Sequence, residues 1–197
     1  MEAALEEFAS KGYAETRLDD VAVRAGISKG LVYVYFKTKE ELFKAVIRAF
    51  IIPKFDALIE ELNSSRRSSE ELIRGPMLTF MKEFARSRRR ILIRLLIAEG
   101  GKHPDLIAFY HSEVVSRGMR LLTLIISKGV AAGEFKPSPY SEFPQLIVAP
   151  LLMSVIWQIL FERLQSLNVE GCLDAHVEIV LAVLKAGLPR PGGTGVS

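Results

Sequence analysis

LDDVAVRAGISKGLVYVYFKTKEELF, residues 18–43, is the most informative stretch of this sequence. Apolar residues fall on one helical face both before and after Gly26, and a glycine between two short helices is typical of a tight turn. The stretch therefore predicts a helix-turn-helix whose second helix begins after the N-cap residue Ser28 and ends near Phe36. A helix in this position can enter the major groove of duplex DNA.

The second helix carries side chains that suit contact with DNA. Ser28 and Gly30 are small enough for backbone amides to approach a phosphate, and Lys29 adds a positive charge. Tyr33 and Tyr35 are two residues apart, so their hydroxyl groups diverge and could bind different phosphates.

A further helix is predicted directly after the helix-turn-helix. Thr38 and Glu41 have the spacing of a capping box, which marks a helix N-terminus. Lys37 and Lys39 would place ammonium groups beside that N-terminus, where an anion is favoured.

Apolar residues recur at helical spacing along almost all of the chain, including a first helix that stops at Gly12. No strand-like alternation of any length occurs, so the sequence predicts an all-α protein. We expect a three-helix helix-turn-helix domain at 1–45 and a larger C-terminal helical domain at 46–189. Residues 190–197 are rich in glycine and should form a flexible tail.

The composition is that of an ordinary globular protein, since 49% of the 197 residues are hydrophobic and 25% are charged. These values exclude a disordered, collagen-like or disulfide-scaffold protein. The single cysteine, Cys172, fits a reducing compartment, and the acidic N-terminus does not resemble a signal peptide. We therefore expect a cytoplasmic protein. The three histidines have no cysteine or carboxylate partners at metal-ligand spacing, which argues against a metal site.

Charge is distributed unevenly along the chain. Residues 1–48 contain eight basic and eight acidic side chains, whereas residues 66–94 contain nine basic and three acidic ones. The densest run of charge consists of Arg86, Arg88, Arg89, Arg90 and Arg94. Such a run is usually a solvated face, but it could also bind an anionic ligand or attract DNA non-specifically.

Residues 143–161 carry no charge at all. The stretch barely reaches the length of a membrane span, contains two prolines and has acidic flanks, so we interpret it as a helix buried in a core or subunit interface, with no membrane contact. An amphipathic helix follows at about 173–187. Pairing both helices with a second copy in a four-helix bundle would bury apolar surface at about 25 cal/mol per Å². We therefore expect a homodimer through about 143–165 and 173–187.

The first 50 residues resemble the DNA-binding domain of TetR-type (tetracycline-repressor-like) transcriptional regulators. The positions that match the family pattern in register are Phe8, Gly12, Tyr13, Thr16, Val21, Ala22, Ala25, Gly26, Ile27, Ser28, Gly30, Val32, Tyr33, Tyr35, Phe36, Lys39 and Leu42. The rest of the chain resembles the family only in its helical character. The resemblance implies that the larger domain binds a ligand and dimerises.

The resemblance also implies a set of DNA contacts. Tyr33, Tyr35 and Lys39 would bind phosphates, and Thr16 and Arg17 would contact the backbone beside the groove. The complete set of predicted DNA-binding residues is Thr16, Arg17, Ser28, Lys29, Gly30, Leu31, Tyr33, Val34, Tyr35, Lys37 and Lys39.

Base readout would fall to Lys29, Leu31 and Val34. Threonine or alanine is usual in the family at the second of these positions, and many members carry a polar or basic residue at the third. Both side chains are apolar here, so discrimination could depend on thymine methyl groups rather than on hydrogen bonds. The chain also starts midway through what is normally a longer first helix, usually preceded by a basic arm. Either the sequence lacks the beginning of this helix and the arm, or phosphate contacts from that arm are absent.

In regulators of this type a pocket in the larger domain binds a small-molecule effector and changes the affinity for DNA. Bulky or soft candidate lining residues are Met77, Phe80, Phe84, Phe109, Tyr110, Met153 and Trp157. Side chains of this kind at helical spacing are more often ordinary core, and that alternative stays open. If a pocket exists, the set favours an apolar or aromatic effector. No cofactor is expected.

These observations together predict a ligand-responsive transcriptional regulator, most simply a repressor. A dimer would bind a palindromic operator in double-stranded DNA and be released by its effector. One alternative is a helical protein-interaction module that has lost DNA binding. An enzyme is the weakest alternative, because the sequence shows no nucleophile–base pair, no glycine-rich phosphate loop and no paired carboxylates.

Overall fold

The structure of the protein, a computed structural model, describes residues 1–64 and 67–187. These residues form thirteen α-helices and three short 3₁₀- or π-helical segments without any strand, which confirms the all-α prediction. No helix in the described part is long and apolar enough to cross a membrane. The tail predicted at 190–197 lies outside the described residues.

The α-helices follow one another closely along the chain. In order they are α1 (Glu2–Glu15), α2 (Leu18–Ala25), α3 (Lys29–Tyr35), α4 (Lys39–Phe50), α5 (Ile52–Ser64), α6 (Ser69–Leu72), α7 (Leu78–Arg86), α8 (Ile91–Glu99), α9 (Pro104–Tyr110), α10 (Ser116–Ala131), α11 (Pro139–Glu142), α12 (Gln145–Leu160) and α13 (Val169–Ala186). A 3₁₀ turn (Arg88–Arg90) precedes α8. π-Helical segments (Ile73–Met77 and His111–Val115) join α6 to α7 and α9 to α10.

Local sequence signals account for the ends of the helix-turn-helix. Gly26 has a φ of 67°, a left-handed conformation that ends α2. The Ser28 hydroxyl accepts a hydrogen bond from the Leu31 amide at 3.2 Å and begins α3. The Thr38 hydroxyl accepts one from the Glu41 amide at 3.1 Å and begins α4. The predicted starts of both helices are therefore confirmed.

The first helix differs slightly from its prediction. It does not stop at Gly12 but is broken there, with φ 79° and ψ 174°, and resumes to Glu15. The break lies directly before Tyr13, whose ring stacks on Phe8 at 5.9 Å and meets Phe43 edge-on at 5.5 Å. These three buried rings form an aromatic core between α1 and α4.

The chain forms two compact units. The functional domain boundary predicted after residue 45 stays a prediction. The first unit comprises residues 1–56 and 86–117, and the second comprises residues 57–85 and those from 118 onward.

In the first unit, α8 packs on α1 and α9 packs on α4, and two arginines of the predicted charge run also bind α1. Arg88 Nη1 lies 2.8 Å from Glu6 Oε1, and Arg94 Nη2 donates to the Ala9 carbonyl at 3.1 Å. Arg88 is 73% exposed, which agrees with the interpretation of the run as a solvated face, and these contacts add to it links between the run and α1.

In the second unit, the uncharged helix α12 is buried on one face only. Its buried residues are Ile147, Leu151, Ser154 and Val155. Large apolar side chains on its opposite face are exposed, namely Leu146, Leu152, Met153 and Leu160. Within a single chain the helix is therefore buried on one face, and the predicted burial of the other face in a subunit interface stays a prediction.

The carboxylate of Glu7 joins α1 to α2 in the first unit. Its side chain is only 4% exposed, and Arg24 Nε donates to Oε1 at 2.6 Å. Lys11 Nζ lies 3.0 Å from Oε2 and also 2.9 Å from Asp20 Oδ2 of α2. Hydrogen bonding from Arg24, aided by Lys11, lowers the pKa of Glu7 despite burial. Because a buried carboxylate needs such partners, this cluster fixes α2 against α1.

Replacing Glu7 with glutamine should destabilise the protein by about 1–3 kcal/mol at neutral pH, because Arg24 would lose its charged partner. The folded-state pKa of Glu7 lies below its ordinary value of 4.5, so its stabilising contribution is complete above that pH and is lost as the pH falls through the folded value. Denaturant unfolding from neutral to acidic pH should show the two proteins converging in acid.

Glu2→Gln is the matched control, because Glu2 is an exposed residue in the first turn of the same helix. Its unfolding free energy should follow the wild type at every pH. A Glu7→Gln protein with an unchanged pH profile would contradict the account of the buried pair.

Candidate nucleic-acid interface

The third helix presents most of its surface to solvent. Val32 is its buried residue and packs toward the rest of the first unit. An α-helix turns about 100° per residue, so Gly30 and Val34 project away from that buried side. Val34 is 68% exposed, and Leu31, beside it, is 43% exposed. We refer to Gly30, Leu31 and Val34 as the outward face of α3.

Tyr33 and Tyr35 are both exposed and diverge around the helix, in line with the geometry expected of two phosphate contacts. Lys37 organises the turn after them. Its Nζ donates to the Tyr33 carbonyl at 2.6 Å, and its backbone amide donates to Glu41 Oε2 at 2.6 Å. These bonds fix the turn that carries the chain from α3 into α4.

Lys29, a predicted base contact, is held by an acidic residue of α2. Its Nζ lies 2.6 Å from Asp19 Oδ2. Hydrogen bonding from Lys29, with a smaller contribution from Tyr33, lowers the pKa of Asp19, and the same pair raises the pKa of Lys29. The only charge that α3 itself carries is therefore neutralised beside the outward face. No local pattern in the sequence indicates this pair, since the two residues are ten positions apart.

Two other predicted DNA-contact residues donate hydrogen bonds to backbone carbonyls of the protein itself. Thr16 is only 2% exposed, and its hydroxyl donates to the Gly12 carbonyl at 2.6 Å, so its side chain turns into the protein rather than toward DNA. The break at Gly12 leaves that carbonyl in need of a donor. Lys39 Nζ donates to the Ala14 carbonyl at 2.6 Å and lies 4.8 Å from the centre of the Tyr13 ring. Its charge thus secures the end of α1 to α4.

The Arg17 side chain remains available, because it is exposed and makes no hydrogen bond or ion pair with any described residue. Other bases of the first unit are ion-paired, as in Arg24 with Glu6 at 3.3 Å and Lys44 with Glu40 at 2.5 Å. Residues 1–48 carry as many acidic as basic side chains, and pairs of this kind bring opposite charges together.

The predicted effector-pocket residues fall in both units. In the first unit, the Phe109 ring lies 5.4 Å from Lys44 Nζ and 4.9 Å from the Arg48 guanidinium carbon. Burial raises the pKa of its neighbour Tyr110 well above the usual range. In the second unit, Met77 and Phe84 are buried and Phe80 is partly buried.

The remaining two pocket candidates lie on α12. Met153 is on its exposed side, and Trp157 Nε1 donates to the Gln165 carbonyl at 2.9 Å after the helix ends. A separate groove of about 320 Å³ in the second unit contains none of the predicted residues. Its lining residues are Thr123, Ile126, Ser127, Val130, Ala131, Pro137 and Ser141. An effector pocket formed by the predicted set stays a prediction.

Comparison with known proteins agrees with the helix-turn-helix. Residues 1–46 match the family model described as bacterial regulatory proteins, tetR family. The HTH-type transcriptional regulator YhgD of Bacillus subtilis is 28% identical over 188 residues, 90% of this chain and 92% of that protein. The HTH-type transcriptional repressor KstR2 of Mycolicibacterium smegmatis is 30% identical over 132 residues, 66% of this chain and 62% of that protein. The match to the tetR family model therefore covers the helix-turn-helix, and both relatives are named as HTH-type transcriptional regulators.

The fold of the chain is similar to that of SmeT, described as the repressor of a Stenotrophomonas maltophilia multidrug efflux pump. The structure of SmeT with triclosan has a TM-score of 0.78 to this chain at 19% identity, covering 97% of this chain and 92% of that one. The relatives named here are transcriptional regulators and not enzymes.

Replacing Asp19 with asparagine should release Lys29 and strengthen binding of the protein to random-sequence duplex DNA. Because each phosphate contact adds about 0.9 to the salt slope of log affinity, the slope should steepen by about one. Fluorescence anisotropy over a salt series measures both quantities.

Asp20→Asn removes the same charge one residue away, from a carboxylate paired with Lys11. It should raise affinity less and leave the slope nearly unchanged. The Asp19→Asn gain should also vanish when Lys29 is alanine; an undiminished gain there would show that Lys29 is not the residue released.

Proposed function

We propose that the protein is a ligand-responsive repressor that binds a palindromic operator in double-stranded DNA as a homodimer. The proposal is carried chiefly by α3, whose outward face is exposed beside two divergent tyrosines. Arg17 adds an available guanidinium at the start of α2. KstR2 and SmeT are both described as repressors, which supports repression rather than activation.

DNA binding should show the salt dependence of phosphate contact. Log affinity for duplex DNA from the gene's own upstream region should fall linearly with log salt. Arg17→Ala should weaken binding to specific and random DNA alike and lower the slope by about one, whereas Tyr35→Phe should weaken both without changing the slope.

Lys102→Ala is the control, because Lys102 is an exposed base of the same unit outside the helix-turn-helix. It should bind as the wild type does. Absence of any salt-dependent DNA binding would favour the protein-interaction module instead.

Dimerisation is supported by the apolar side chains exposed on α12 and by Ile179, which is exposed on α13. Leaving such a surface in water is unfavourable at about 25 cal/mol per Å², and a symmetric partner would cover it. A dimer would also place two copies of α3 on successive half-sites about one helical turn, or a multiple of it, apart.

Leu152→Glu should therefore convert the dimer to a monomer and reduce operator affinity at least tenfold, because a charge would be buried at the centre of the paired face. Sedimentation velocity measures the change in mass. Ile97→Glu is the matched control, since Ile97 is an exposed isoleucine of α8. A Leu152→Glu protein that remains a dimer would contradict this interface.

The effector is proposed to be a small apolar or aromatic molecule. Triclosan, the partner of SmeT in its complex, belongs to this chemical class, and the fold of SmeT covers nearly the whole chain. Binding of the effector would favour a state of the dimer with lower operator affinity. A repressor of this kind would act in the cytoplasm.

A further inference from the structure

We infer that Leu31 and Val34 read DNA sequence through the C5-methyl groups of thymine. The preferred half-site would then carry thymine where these side chains meet the major groove. The inference rests on the proposed function, because it requires α3 to lie in that groove.

The outward face of α3 offers apolar atoms rather than hydrogen-bonding groups. Leu31 and Val34 are exposed, although their side chains gain nothing from contact with water. Neither side chain has a donor or an acceptor, so neither can distinguish base edges by hydrogen bonds. The thymine methyl is the apolar group that unmodified base pairs present in the major groove, and apolar side chains contact it.

Polar side chains that could compete for base readout already have protein partners. The Ser28 hydroxyl caps α3 at the Leu31 amide, and Lys29 is paired with Asp19 at 2.6 Å. The Asp19 carboxylate would repel the O6 and N7 acceptors of guanine, which are the usual partners of a lysine. Guanine is therefore disfavoured beside the outward face.

Gly30 supplies the close approach that short apolar side chains need. A Cβ atom built at this position would meet no other heavy atom within 4 Å, so the helix surface is open there. Leucine and valine reach only a short distance from the backbone. Because Gly30 has no side chain, α3 can enter the major groove deeply enough for Leu31 and Val34 to contact the C5-methyl groups of thymine.

The test begins with selection of binding sites by the full-length protein from a random duplex DNA library. The tightest site is then resynthesised with deoxyuridine in place of each thymine in turn, which removes only the C5-methyl group. At the positions contacted by Leu31 and Val34, affinity should fall roughly fourfold, the value of one buried methyl-sized group. Other thymines should tolerate the change.

A second measurement uses duplexes in which each of these thymines is replaced by cytosine. Replacing that cytosine with 5-methylcytosine restores a methyl group at the same place in the groove. Affinity should recover by roughly the same factor of four.

Protein variants assign each methyl to its side chain. Val34→Ala should abolish the deoxyuridine effect at one position of the half-site, and Leu31→Ala should abolish it at another. Val23→Ala is the matched control, because Val23 of α2 is an equally exposed valine, at 74%. It should retain the full effect at both positions.

The outcomes separate this inference from the proposed function. Selection of no sequence at low salt would contradict the proposed function itself. Selected sites that bind equally well with deoxyuridine at every thymine would overturn the inference while leaving the function intact. A preference for guanine that disappears in Lys29→Ala would also overturn it.

Discussion

The buried carboxylate of Glu7 is the constraint on which the DNA-facing part of the molecule depends. An ionised carboxylate removed from water requires cationic hydrogen-bond partners, and Arg24 provides one from α2 while Lys11 provides another from α1. This arrangement fixes α2 on α1, and α3 in turn packs on α2. The direction in which Leu31 and Val34 point is therefore set by a residue that never reaches the surface.

The segment that holds the helix-turn-helix, residues 1–48, carries as many acidic as basic side chains, and several of them form ion pairs. Acidic side chains at the start of α2 pair with Lys11 and Lys29, so few cations are left for phosphates. Non-specific attraction to DNA depends on such cations and is correspondingly weak. On our account, binding relies more on the fit of α3 in the groove and on contacts with thymine methyls. Sequence-specific contacts would then contribute a larger share of the binding free energy than they do in a DNA-binding domain with a high positive charge.

The parts of the fold that sequence could predict are those with local signals. Gly26 and Ser28 mark the turn between α2 and α3 by their own conformational and capping preferences. Contacts between distant residues have no such signal, and Arg88 with Glu6 is an example at a separation of 82 positions. Thr16 was assigned to DNA by family resemblance, but the break in α1 gives its hydroxyl a nearer carbonyl. In α12, the absence of charge was visible, whereas the division into a buried and an exposed face follows from packing within the second unit.

A crystal structure of the protein on its selected duplex tests the central claim most directly. The account predicts that α3 lies in the major groove with side-chain carbons of Leu31 and Val34 within about 4.5 Å of thymine C5-methyl carbons, the distance of apolar contact. It also predicts that Lys29 remains beside Asp19 or turns to a phosphate. A complex in which Lys29 bonds guanine O6 and N7 while Leu31 and Val34 touch no methyl group would contradict it.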